Sequence, residues 1–220
     1  MMQTHAGNLP NSSPDNHPLA LLAEPPRGSH LVLFHEEDSY DEVLEFWYMV
    51  HGLAKGEDAI YLTLDDPENV RRRMRKRGID VDYYEKERRL LHITKFRDPA
   101  KHPDGFSEGM REMYHSAFGD VGRPCRVVGA SVPEIQTEEQ IKLNIEVESD
   151  AMAGFQGKAS KGSIFSVFDN FPGSVLCHYN ISRNPSEAQS WWVSQNEKCH
   201  HLAIYAPRNR KIIVRRGGLE

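Results

Sequence analysis

Apolar residues follow two rhythms along this chain, and the two alternate. Leu31-Val32-Leu33-Phe34 and Ala59-Ile60-Tyr61-Leu62-Thr63-Leu64 are short, nearly unbroken apolar runs, as expected of strands covered on both faces. Leu90-Leu91-His92-Ile93, Cys125 to Ala130, Ser174 to Tyr179 and Leu202 to Ala206 repeat the pattern. Between them the spacing changes to three and four. Residues 40–53 predict a helix with Val43, Leu44, Trp47, Val50 and Ala54 on one face, closed by Gly52 and Gly56. Asp66 is the expected N-cap of a second helix, with Pro67 in its first turn, Val70 and Met74 inward, and Gly78 at its end. Further helices are predicted over 106–118, over 137–155 with Ile141, Ile145 and Met152 inward, and over 185–197. Lys211 to Val214 predicts a last strand, in a hairpin with Leu202 to Ala206.

Strand and helix alternate from about residue 30 to 205. That alternation implies right-handed crossovers and an α/β fold of three layers, a mainly parallel sheet with helices on both faces. Residues 1–28 differ. Five prolines lie among Asn, Ser and His there, a composition that buries too little surface to offset chain entropy. We read 1–28 as a disordered leader and 29–220 as one α/β domain. The alternative for the leader is that Leu19 to Leu22 dock onto the body.

Composition narrows the class. Lys plus Arg is 27 against 32 Asp plus Glu, a net charge of −5, which makes a general nucleic-acid binder unlikely. No apolar run is long enough to span a bilayer. Three cysteines cannot all pair, which fits a reducing, cytoplasmic setting. Six cations in the seven residues from Arg71 to Arg77 form a basic run, but acids flank it on both sides, so a solvated helix face is expected.

In such a domain, phosphate is held between the first strand and the next helix, by glycine-rich backbone and the helix N-terminus. Here that stretch reads Phe34-His35-Glu36-Glu37-Asp38-Ser39-Tyr40-Asp41, without glycine or lysine. A close like-charge pair costs about 4 kcal/mol at an effective dielectric near 20, so these acids repel phosphate. The strand from Arg126 to Ser131 ends without the acid that would orient magnesium. Gly154-Phe155-Gln156-Gly157-Lys158-Ala159-Ser160 mimics a phosphate loop, but it follows a helix and places Ala159 where a hydroxyl is needed. Both Walker elements are therefore missing.

Phe34 to Ile93 resembles the first half of a RecA/KaiC-type ATPase domain with its phosphate loop erased. The likeness is carried by residues 52–65, the helix ending Arg77-Gly78-Ile79-Asp80, and Arg89 to Ile93. Val175-Leu176-Cys177-His178-Tyr179-Asn180 is similar to the late strand of the MEDS domain, a sensory domain of methanogen and methylotroph regulators. The pair His200-His201 falls near that family's following His. The resemblance implies sensing or signalling rather than turnover, usually with an attached output domain.

The reading is thus a non-enzymatic sensor or regulatory module, with no cofactor. Its ligand, a small molecule or a signalling protein, is expected at the carboxyl ends of the parallel strands. The expected lining is His35, Glu36, Glu37, Tyr40, Asp65, Ser131, Glu134 and Tyr179, with Glu36, Glu37 and Asp65 at neighbouring strand ends. The alternatives are a divergent nucleotide-binding ATPase and a structural module that self-assembles. No metal is expected. The candidates for one are Cys177, His178, Cys199, His200 and His201, the first two on opposite faces of their strand.

Overall fold

The computed structural model describes residues 18–36, 38–105, 108–113, 123–129, 138–181, 186–208 and 211–217. Among the described residues, seven strands form one sheet: β1 (Ser29–His35), β2 (Asp58–Thr63), β3 (Leu91–Lys95), β4 (Cys125–Gly129), β5 (Ser174–Asn180), β6 (Leu202–Ala206) and β7 (Ile213–Arg216). Their order across the sheet is β3-β2-β4-β5-β1-β6-β7. Every neighbouring pair is parallel except β6 and β7, which form the expected antiparallel edge.

Helices cover both faces, so there are two cores. Alternation along each strand sorts side chains between them. Leu31 and Leu33 of β1 and Leu176 of β5 face α1 (Pro18–Ala23), α2 (Asp38–Lys55) and α3 (Pro67–Lys76). Val32 and Phe34 of β1 and Val175, Cys177 and Tyr179 of β5 face the core that holds α4 (Glu138–Phe155), α5 (Glu187–Lys198) and a 3-10 turn at Ile164–Phe168. Asp66 caps α3 by accepting from the Glu68 amide at 2.9 Å, with Pro67 in the first turn, as the sequence predicts.

Three features depart from expectation. Residues 18–23 of the leader form helix α1, and Leu22 is fully buried against α2. The buried Arg126 guanidinium holds α1 there, donating to Leu22 O at 3.0 Å, Ala23 O at 2.9 Å and Tyr48 O at 2.7 Å. It also pairs with Glu57 at 2.6 Å. The docking alternative is thus what residues 18–23 do, and residues 1–17 lie outside the described part.

The inward face of α2 is also turned from the predicted one. Trp47 and Ala54 are exposed, while Glu45, Tyr48, Met49 and Gly52 are buried. The cause is that α2 is covered on two sides, by the sheet and by α1, so an apolar stripe does not mark one face. Trp47 donates its indole N–H to Leu19 O at 3.1 Å at the rim of that contact. Finally, β1 and β2 are not neighbours: β5 and β4 lie between them.

Candidate functional site

The carboxyl end of β1 is where a nucleotide site would form. Buried His35 ends the strand, α2 begins at Asp38, and only Glu36 and Glu37 stand between them. The Glu36 carboxylate accepts the backbone N–H of Arg208 at 2.9 Å, which joins this turn to the segment after β6. The P-loop look-alike is a packing feature. A Cβ on Gly154 would lie 2.2 Å from Phe165 O, so glycine lets α4 and the 3-10 turn touch. Gly157, at φ +66°, lets the chain turn after the helix.

Beside His35 and beneath α2 lies a buried polar cluster. Glu45 accepts from the Tyr61 hydroxyl at 2.7 Å and pairs with His178 Nδ1 at 3.0 Å. The His35 and His178 rings stack at 6.1 Å. Burial pushes the Glu45 carboxyl up, but the His178 charge and the hydrogen bonds from His178 and Tyr61 outweigh it and hold it below its usual range. His178 is the partly exposed member, with 24% of its side chain accessible.

The predicted lining does not all come together. Three strand spacings, roughly 14 Å by sheet geometry, separate Asp65 at the end of β2 from His35 at the end of β1. This corrects the expectation that Glu36 and Asp65 sit at adjacent strand ends. Asp65 is occupied locally, accepting from the Asp66 amide at 2.7 Å and Asn69 Nδ2 at 3.0 Å and pairing with Arg73 at 3.2 Å. These bonds hold its carboxyl below the usual range. Tyr179 faces the opposite core from His35. Glu37, Ser131, Glu134 and the Tyr40 side chain lie outside the described part. The basic run is neutralised nearby, with Arg71 on Glu85 at 3.0 Å, Arg73 on Glu42 at 2.8 Å and Arg75 on Glu68 at 2.9 Å.

The other core holds a constellation that the sequence reading only half identified. His30 of β1, Cys177 of β5, Glu148 of α4 and His200 after α5 are all buried, and their ligand atoms lie within 4.8 Å of one another. His30 Nε2 is 3.3 Å from Cys177 Sγ and 3.2 Å from Glu148 Oε2, and His200 Nε2 is 3.4 Å from the same oxygen. Burial and the neighbouring His200 push the His30 ring down to about 4, against the pull of Glu148. Burial also raises Cys177 well above the usual thiol range.

A hydrogen-bonded layer surrounds these four. The Tyr179 hydroxyl donates to Glu148 Oε1, and Asn144 Nδ2 donates to Tyr179 at 2.9 Å. Trp192 Nε1 and Asn196 Nδ2 donate to Asn144 Oδ1 at 2.8 Å and 3.0 Å. His201 Nδ1 accepts the His30 amide at 3.0 Å. Of the five residues proposed for a metal, Cys177 and His200 meet here, His178 points to the other core, and Cys199 and His201 are not among the four. His30 and Glu148 were missed, though each carries a signal. His30 shares the face of Val32 and Phe34, and Glu148 falls on the inward stripe of Ile141 and Met152.

These architectures belong to a known class of fold. A crystal structure of a KaiC-like protein from the hyperthermophilic archaeon Pyrococcus horikoshii matches with a TM-score of 0.57 at 15% identity, over 87% of this chain and 80% of that one. The chain therefore has a RecA/KaiC-like α/β fold. No protein-family model matches its sequence, and no curated protein does. No helix among the described residues is long and apolar enough to cross a membrane.

Proposed function

We propose that this chain is a sensory or regulatory module of the MEDS type, a RecA/KaiC-like domain that does not use nucleotide. The observation that carries this reading is the turn after β1. Phosphate binding there needs backbone amides brought close by glycine and a positive partner. This turn instead follows buried His35 with Glu36, whose carboxylate already takes the Arg208 amide. A carboxylate in that position repels a phosphate chain.

The ligand, a small molecule or a protein partner, binds at the carboxyl ends of β1 and β5. The support is chemical: partly exposed His178, two residues from the end of β5, is backed by buried Glu45 and Tyr61, and open sheets bind ligands at this end of their strands. Binding would bias one arrangement of the β1–α2 turn over another and so signal by population shift.

Thermal unfolding with millimolar magnesium–ATP tests the reading. The expected result is no increase in the midpoint and no phosphate release. A saturable increase accompanied by phosphate release would replace it with a divergent ATPase.

A further inference from the structure

We propose that His30, Glu148, Cys177 and His200 form a closed four-ligand site for a zinc-class divalent cation, which pins α4 and the end of α5 to strands β1 and β5. The proposal goes beyond the sensory reading and does not depend on it.

The donor set is the first reason. Imidazole and thiolate are the ligands zinc prefers, and a carboxylate completes a tetrahedron that such an ion accepts. Spacing is the second. Metal–ligand bonds of about 2.0–2.3 Å put neighbouring tetrahedral ligand atoms roughly 3.3–3.7 Å apart. The contacts between these ligand atoms run 3.2, 3.3 and 3.4 Å, and all four fit within 4.8 Å. The remaining pairs lie no more than 4.8 Å apart, so a small inward shift of the side chains brings all four to bonding distance of one ion.

Ring orientation is the third. His200 Nδ1 lies 2.7 Å from the Asn196 carbonyl, which has no proton to give, so the ring donates there. That turns the buried Nε2 toward Glu148 Oε2, 3.4 Å away, and into the cluster of four. A cation at this point would bond both atoms. A ring nitrogen donating to a backbone carbonyl while the other nitrogen faces the ion is the usual orienting arrangement of a histidine ligand. Tyr179 and Asn144 orient Glu148 in the same way, through its second oxygen. Fourfold protein ligation in a buried setting makes the site structural, with no position left for substrate.

The test is loading of the purified full-length protein with zinc or cobalt(II), followed by dialysis. The expected result is one retained ion per chain, and for cobalt a tetrahedral visible spectrum with a thiolate charge-transfer band. Cys177→Ala should lose that band and bind more than about 100-fold more weakly, while Cys199→Ala should match the wild type. X-ray absorption of the zinc-loaded wild type should show one sulfur at about 2.3 Å and nitrogen or oxygen at about 2.0 Å, a readout that stands even if a variant fails to fold. No retained ion, or a spectrum without sulfur, would overturn the proposal and leave a buried proton-sharing network. A spectrum unchanged by Cys177→Ala would do the same.

Discussion

Glu45 shows how a single buried carboxylate shapes this protein. Its folded pKa lies below the ordinary 4.5 because His178 and Tyr61 outweigh the cost of burial. A depressed acid contributes stability above its unfolded pKa and loses it as pH falls through the folded value. Wild-type stability should therefore drop as pH falls below about 4.5. Glu45→Gln should lower stability at neutral pH by about 1–2 kcal/mol, since it takes a charged acceptor from buried Tyr61 and half-buried His178, and should flatten the acid limb. Urea unfolding across pH checks both, and parallel curves would contradict the assignment. At the same scale, Tyr179→Phe removes the hydroxyl that orients Glu148 while leaving the ring packed on Trp192. Metal affinity should fall about 10-fold with the fold intact. An affinity equal to wild type would remove Tyr179 from the supporting layer. Capping was legible at this scale, because Asp66 and Pro67 act within their own turn. His30 and Glu148 were not, because a buried ligand set depends on strand register and helix phase.

Strand and helix identity followed from the apolar rhythm, unbroken runs for the strands and a spacing of three and four for the long helices. Shorter elements gave no such signal. The π turn at Tyr83–Glu87 and the 3-10 turn at Ile164–Phe168 are each 5 residues long, too short to show a period. Helix α1 is of this kind, with 6 residues inside a proline-rich leader, and it is placed by a distant partner. Arg126 sits on β4, more than a hundred residues away, and ties down the carbonyls of Leu22 and Ala23. Arg126→Met should detach α1, cost about 3 kcal/mol and open the 18–28 segment to protease. Leu22→Ala should loosen the same helix at a cost of about 2–4 kcal/mol by leaving a cavity. Protease resistance unchanged in both variants would contradict this account of the docking.

Across the whole molecule, the parallel sheet with helices on both faces was legible from alternation alone, but the strand order was not. Alternation says that β1 crosses over to β2, not that β4 and β5 lie between them. That order moved Asp65 away from His35, while alternation along the strands divided the polar residues between two cores. One holds Glu45, Tyr61 and His178 at the carboxyl ends, and the other holds His30, Glu148, Cys177 and His200. The fold is RecA/KaiC-like, and the turn after β1 carries a carboxylate bonded to the Arg208 amide. The most direct measurement of this account is a calorimetric titration of the full-length protein with magnesium–ATP. No heat beyond dilution is expected at millimolar nucleotide. A saturable isotherm with a submillimolar Kd would contradict it.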